Sequence, residues 1–386
     1  MKTAVVIIPT YNEKANIPKV VPRLLEVFDT IKNWKMKVLI VDDSSPDGTA
    51  DEVKVWQKKS SAVHLFLNKQ KSGLGGAYLK GMAEAFNHLE ADVVFEFDAD
   101  LSHDPSKIPT FLKRIDEGYD FVLGSRYIPG GGIPANWGFH RKFFSIVGNI
   151  IIMVVFTNFR IRDWTSGYRA ITKKVYESVV PELQSEQFSG YTFQIGFLHK
   201  TVRNGFKVVE VPFQFVDREI GESKLGMEYV KNNLLFIFKV RAKDILTNRI
   251  FKFVMVGGLG AVVQLGTLGL WRMLVPYELA FFLSIECAVF SNFILNNFWT
   301  FADRKPKLAE YPSKFIKFNF ASAGSIVIQQ LIAIVGKNAI GLFPLFTLPL
   351  IGLVVDTGQI YAVVGILIGM FWNFFAYNKF VWHAKT

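Results

Sequence analysis

Val93-Val94-Phe95-Glu96-Phe97-Asp98-Ala99-Asp100-Leu101-Ser102 reads as a buried strand that runs straight into two carboxylates. Val93 to Phe97 is apolar at nearly every position, the composition of a strand covered on both faces. Asp98 and Asp100 follow at its C-terminal end, one residue apart. Open α/β sheets collect ligands at that end of their strands. Two carboxylates so placed suit a hard divalent cation, Mg2+ or Mn2+, which takes oxygen ligands and shares them with a diphosphate. An isolated Asp-x-Asp also arises by chance in solvated turns, so its meaning depends on the flanking chain.

Outward from this strand the pattern recurs. Val5-Val6-Ile7-Ile8, Val38-Leu39-Ile40-Val41, Val63-His64-Leu65-Phe66-Leu67 and Phe121-Val122-Leu123 are strand-like. Between them Ile17 to Ile31, Ala50 to Lys58, Gly73 to Leu89 and Pro105 to Glu117 carry helical spacing. The alternation predicts an α/β domain with a mostly parallel sheet and helices on both faces. Polar loops follow the strands: Pro9-Thr10-Tyr11-Asn12-Glu13, Asp42 to Thr49, the Asp98/Asp100 loop, and Gly124-Ser125-Arg126-Tyr127. Such loops at successive strand ends predict one shared site. Asp47 or Thr49 can cap the next helix. His103 and Asp104 are expected as turn and cap residues, and Asp163 as a cap or ion-pair partner. Gly73, Gly75 and Gly76 do not form the dinucleotide-binding pattern after a strand. Close helix packing or a tight turn is their expected role.

The chain has 386 residues, half of them hydrophobic and 37 of them Phe, with a net charge of +11. Mean hydropathy is positive, +0.25. A basic balance fits nucleic acid or an anionic membrane surface. The apolar excess favours the membrane, and no aromatic-basic RNA motif is present, so no nucleic-acid partner is expected. The lone Cys287 excludes an intramolecular disulfide. The first apolar run, Ala4 to Ile8, stops at Pro9 and does not read as a signal peptide.

Phe143 to Phe156 is apolar but shorter than the roughly 20 residues that a span needs. Arg141, Lys142, Arg160 and Arg162 flank it, which favours a helix lying in the interface over a buried one. Tyr229 to Ile245 reads the same way, with Lys231, Lys239, Arg241 and Lys243 among its apolar residues. Beyond it, Phe253–Val275, Leu279–Phe301, Phe315–Val335 and Gln359–Val381 have spanning length. Basic residues gather before the first span, between the second and third, and after the fourth. The positive-inside rule then predicts a multi-pass membrane protein with both termini and the α/β domain cytoplasmic. Ile340 to Val355, broken by Pro344 and Pro349, is expected as an extracytoplasmic or re-entrant segment. Glu286, Asn292, Asn296, Asn297, Gln329 and Gln330 lie within spans. Both a headgroup path and helix-to-helix bonding account for them. The domain boundaries expected are 1–227, a linker of interface helix at 228–249, and an all-α four-helix membrane domain at 250–386.

The strand-end loops, with Ser166-Gly167-Tyr168-Arg169-Ala170 and Gly221-Glu222-Ser223-Lys224-Leu225, resemble the dolichol-phosphate mannose synthases. These are inverting glycosyltransferases of family two with a Rossmann-like GT-A fold, and the C-terminal spans resemble the GtrA-like membrane domain fused to some members. The resemblance implies nucleotide contacts from Pro9, Tyr11, Glu13, Val41, Asp43, Asp98 and Ala99. It implies a metal held by Asp98 and Asp100, with Ser102 where the family commonly has Gln. Asp100 and Arg126 would serve catalysis. Arg126, Arg141 and Ser145 would bind the acceptor phosphate, and Arg218 and Lys224 the donor phosphates. Gly196 stands where the family usually has Glu.

The expected activity is transfer of a hexose from a nucleotide sugar to dolichyl or polyprenyl phosphate, with mannose from GDP-mannose favoured. UDP-glucose as donor is the alternative within the same chemistry. A lipid-linked-sugar flippase with a non-catalytic nucleotide-sugar-binding domain is the alternative from another class. A processive polysaccharide synthase is disfavoured because no Gln-x-x-Arg-Trp motif occurs.

Overall fold

The computed structural model describes residues 1–183, 192–217, 227–271, 273–341, 343–348 and 353–382. The chain forms two compact units, Met1–Arg241 and Ala242–Thr386, divided inside the segment expected as a linker.

In the first unit, strands and helices alternate as β1 (Lys2–Thr10), α1 (Ile17–Thr30), β2 (Trp34–Asp42), α2 (Thr49–Lys59), β3 (Val63–Leu67), α3 (Gly73–Asn87), β4 (Val93–Glu96), α4 (Ile108–Asp116) and β5 (Phe121–Ser125). Then come α5 (Phe139–Val155), β6 (Arg169–Thr172), α6 (Lys173–Leu183), α7 (Thr192–Arg203), β7 (Val208–Pro212) and α8 (Met227–Thr247), the last running on into the second unit. The sheet order is β3-β2-β1-β4-β6-β5-β7, with β6 antiparallel to both of its neighbours and the other pairings parallel. Six strands therefore end on one edge. Alternation along β1 sends Val5 and Ile7 into one core layer and Ala4, Val6 and Ile8 into the other. Helices α3, α5, α6 and α7 cover the first layer, and α1 and α4 the second.

The mostly parallel sheet matches expectation, but β6 and β7 were not predicted as strands. Arg169 opens β6, and its charge masks a four-residue strand. Both expected roles occur among the α3 glycines: Gly73 turns the chain with φ +70°, while Gly75 and, further along, Gly81 pack closely. A Cβ at Gly75 would stand 2.9 Å from Phe193, and one at Gly81 would stand 2.7 Å from Ile7 on β1. α5 is one-sided: Asn149, Ile152 and Met153 are buried while Phe139, Phe143, Phe144, Ile150 and Val154 are exposed.

The second unit holds α9 (Arg249–Trp271), α10 (Tyr277–Leu295), α11 (Tyr311–Ala339), β8 (Pro344–Leu348), β9 (Leu353–Asp356) and α12 (Thr357–Ala376). Among the described residues, Arg249–Thr267, Leu308–Ala339 and Val363–Val381 are long and apolar enough to cross a membrane. The expected second span folds as α10 with a π-helical extension, Asn296–Thr300. The all-α expectation is corrected at the segment between α11 and α12, where β8 pairs antiparallel with β9. Pro344 cannot continue a helix, and Thr347, Val354 and Val355 are β-branched, which favours the ribbon.

This unit repeats itself. Lys252-Phe253 in α9 answers Lys317-Phe318 in α11, and in the same register Gln264 answers Gln329. Phe290-Ser291-Asn292-Phe293 in α10 answers Phe371-Trp372-Asn373-Phe374 in α12. Both second helices run on into π-helical turns at matching positions, Asn296–Thr300 and Tyr377–Val381. The contacts are reciprocal. Phe253 meets Phe374 with ring centroids 5.3 Å apart, and their counterparts Phe318 and Phe293 meet at 5.4 Å. Phe301 and its counterpart Trp382 stack on one another at 4.4 Å. Such exchange of equivalent partners is the pattern of an isologous two-fold contact. The two hairpins line a partly open cavity of about 80 Å³, to which Gln264 and Gln329, and Asn292 and Asn373, contribute in matching pairs. Asn297 instead bonds between helices, accepting from Trp382 Nε1 at 3.1 Å.

Candidate active site

The loops after β1 and β2 are laced together. Buried Asp42 accepts from Thr10 Oγ1 at 2.9 Å and from the Ser45 backbone at 2.9 Å. Asn12 N–H donates to Ser45 Oγ, Glu13 N–H to Thr49 Oγ1, and Lys14 N–H to Asp47 Oδ2. Asp47 also accepts from Thr49 N at 3.0 Å, so it ties down the start of α2, with Gly48 between them at φ +86°. Pro9 and Val41 are paired neighbours in the sheet. Asp43 accepts from Asn68 Nδ2 at 2.6 Å, Ser72 N at 3.0 Å and Ser72 Oγ at 3.2 Å. Lys80 in turn donates to Asn68 Oδ1. Tyr11 lies beneath Lys71, whose Nζ is 3.5 Å from the ring centroid.

The acidic loop leaves β4 as expected. Tyr78, on α3, donates to Asp98 Oδ1 at 3.2 Å. Burial, then the Asp98 charge, pushes the Tyr78 hydroxyl well above its usual pKa, so it is a donor. Asp100 Oδ1 accepts from Ser102 N at 3.1 Å, closing a turn in which Leu101 has φ +62°. The Ser102 hydroxyl is buried and makes no hydrogen bond in this structure. Asp104 caps the next short helix through Ser106 N, as predicted. His103 lies in the bend of this loop, but it is 2% exposed and sits among aromatic rings. No group of three or more His, Cys, Asp or Glu side chains could hold a metal among the described residues. Asp98 and Asp100 carry the oxygen ligands that a hard cation takes, and the Ser102 hydroxyl, next in the loop, is the further oxygen that could join them.

Arg126, at the end of β5, turns its fork onto Asp163. Nε and Nη2 stand 2.7 Å from Oδ2 and Oδ1. Nη2 also donates to Thr165 Oγ1 at 2.8 Å. Asp163 is itself positioned by Glu210 on β7, which accepts from the backbone of Arg162 and Asp163 at 3.0 Å each. Burial raises the Glu210 pKa against these hydrogen bonds. Arg141 and Ser145 stand one turn apart on α5. Arg141 stacks 3.8 Å over Trp137 and donates to Asp217 at 3.1 Å, while its buried Nε has no partner. Ser145 Oγ is 2.5 Å from the Tyr127 hydroxyl. Asn149 bonds Trp164 N at 2.7 Å and so fastens α5 to the loop that carries Asp163. Arg218 and Lys224 lie outside the described residues.

The structure brings together residues that sequence reasoning missed. Tyr78, Asn68 and Asn149 support loops far from them in the chain. Asn149 alone had a sequence signal, as an amide inside the apolar Phe143–Phe156 run.

Comparison with known proteins identifies both units. Residues 5–180 match glycosyl transferase family 2, and residues 252–382 match the GtrA/DPMS transmembrane domain. The chain is 34% identical to a dolichol-phosphate mannosyltransferase of Pyrococcus furiosus, over 85% of this chain and 88% of that protein. It is 38% identical to a polyprenol monophosphomannose synthase of Mycolicibacterium smegmatis, over 61% of this chain and 84% of that one. With an undecaprenyl-phosphate mannosyltransferase of Micrococcus luteus the identity is 37%, over 57% and 86%. The second unit is accordingly a membrane domain, and the chain belongs to the dolichol-phosphate mannose synthase-like glycosyltransferases of family 2.

Proposed function

We propose that this enzyme transfers mannose, with inversion, from GDP-mannose to a polyprenyl phosphate of the dolichyl type, leaving GDP and a lipid-phosphate sugar. The observation that carries this reading is the Asp98/Asp100 pair at the end of β4, beside the interlaced loops of β1 and β2. The three relatives, named for mannose transfer to three different isoprenoids, support the sugar and the lipid class. Asp98, Asp100 and Ser102 would hold Mg2+ or Mn2+. When bound, that cation neutralises charge developing on the departing diphosphate.

The remaining work falls to the chain's own residues. Pro9, Tyr11, Glu13, Val41, Asp43 and Ala99 form the nucleotide cleft, with Asn68 and Ser72 fixing the Asp43 carboxylate. Arg218 and Lys224 meet the donor phosphates. Arg141 and Ser145 receive the acceptor phosphate, together with Arg126, whose orientation Asp163 sets. A phosphate monoester has a second pKa of about 6, so at neutral pH it is mostly a dianion and needs no protein base. These groups orient it for attack, which is catalysis by position. The exposed apolar faces of α5 and α8 rest in the membrane interface, with Phe143, Phe144, Leu235 and Phe238 entering the lipid. The basic flanks of the spans support a cytoplasmic catalytic unit and cytoplasmic termini.

The test is label transfer in detergent micelles from GDP-mannose and, separately, from UDP-glucose, with and without polyprenyl phosphate. Lipid-soluble label is expected from GDP-mannose only when the acceptor is present. Preferential use of UDP-glucose overturns the sugar assignment, and no transfer from either by a protein that binds both ligands overturns the enzyme.

A further inference from the structure

His103 occupies the back of the acidic loop, and both of its ring nitrogens point at Asp98. The backbone N–H of Asp98 donates to His103 Nδ1 at 3.1 Å. A neutral imidazole carries one proton, so an accepting Nδ1 leaves it on Nε2. That Nε2 stands 3.7 Å from Asp98 Oδ2. Packing holds the ring plane. Tyr168 stacks on it at 4.9 Å and 11°, and Phe97 and Phe213 meet it edge-on at 5.4 and 5.9 Å. Tyr168 is anchored in turn through its hydroxyl, which donates to Asp104 O at 2.9 Å. Phe would fill this aromatic pocket as well; what the two nitrogens add is their approach to Asp98.

We propose that His103 is a positioning residue for Asp98, one nitrogen fixing the start of the acidic loop and the other aiming the carboxylate. Tyr78 holds the opposite oxygen at 3.2 Å, so the carboxylate is set between a phenol and an imidazole. Partners behind a metal ligand orient it and raise the metal's affinity, and their loss costs about 10–100-fold in binding. The inference rests on reading Asp98 as a cation ligand.

The experiment measures Mn2+ binding to the full-length protein in detergent, with GDP present, by the paramagnetic signal of free Mn2+. Thermal unfolding of the same samples without metal is followed in parallel. His103→Phe keeps the ring packing and removes both nitrogens. His103→Asn keeps an acceptor near Nδ1, and His103→Gln a donor near Nε2. The expected result is a loss of about 10–100-fold in Mn2+ affinity for the Phe variant. The Asn and Gln variants should fall between it and the wild type, in an order that does not follow their unfolding temperatures. Wild-type affinity in the Phe variant, or losses that track thermal stability across all three, overturns the positioning role. A Phe variant that does not fold leaves the decision to Asn and Gln, where wild-type affinity in both is again fatal. Absence of Mn2+ binding by the wild type would instead overturn the cation site itself, and the positioning role with it.

Discussion

Arg126 and Asp163 form a closed pair, both arms of the guanidinium meeting both carboxylate oxygens at 2.7 Å, with the Arg126 backbone N–H as a third donor at 3.0 Å. Asp163 is fully buried and the Arg126 side chain is 9% exposed. Breaking such a pair from one side strands the other charge and costs about 3–5 kcal/mol. Asp163→Asn should therefore lower unfolding free energy by that amount and raise the KM for polyprenyl phosphate, with donor affinity nearly unchanged. An unfolding curve that overlays the wild type contradicts the arrangement.

Asp100→Asn should reduce turnover at least about a hundredfold, the scale of a lost transition-state electrostatic contact. Excess chelator should abolish wild-type activity, and added Mg2+ or Mn2+ should restore it. Full activity in chelator would remove the metal from the mechanism.

Arg141→Lys keeps a charge but loses the planar group that stacks on Trp137 and reaches Asp217. The expected effect is a rise of about tenfold or more in acceptor KM, equivalent to roughly 1.4 kcal/mol, with donor KM unchanged. Steady-state kinetics with each substrate varied separately will read the split. Equal changes in both KM values argue against an acceptor-side role.

Glu96 and Arg169 are fully buried and 3.7 Å apart between β4 and β6. Burial outweighs the pull of Arg169 and raises the Glu96 carboxyl from 4.5 to about 7. Between those values the folded state holds a proton that the unfolded state has released. Linkage then makes this residue's contribution to stability fall as pH rises from about 4.5 to about 7. Glu96→Gln should flatten that part of the profile of unfolding temperature against pH. A slope identical to the wild type would show that Glu96 does not titrate there.

The first unit was legible in the sequence wherever periodicity and chain order coincide. Val5 to Ile8 and Val93 to Phe97 announce central strands because both of their faces are buried. The acidic loops announce the site because strand order puts them on one edge. β6 was hidden because it is short and begins with a buried arginine, whose partner Glu96 lies on another strand. His103 was hidden for a related reason. Its role depends on Tyr168 and Phe213, which reach it only after the sheet has formed. Asp163 could be read as an ion-pair partner, but not as the partner of Arg126, since nothing local links them.

The duplicated membrane unit has been freed from a constraint that binds a true dimer. Two identical subunits must change both walls of a shared cavity at once, whereas two hairpins on one chain can drift apart. One matched contact shows it. In the second hairpin the Tyr377 hydroxyl lies 2.6 Å from Ser322 Oγ. In the first, Asn296 stands in the place of Tyr377 and Gly257 in the place of Ser322, so the amide oxygen of Asn296 finds no mate. Among the described residues both walls keep an open amide oxygen at the matched Asn292 and Asn373, and the first wall adds that of Asn296. The two sides of this nearly symmetric chamber therefore differ in chemistry, a closed hydroxyl pair standing on one where the other presents an amide.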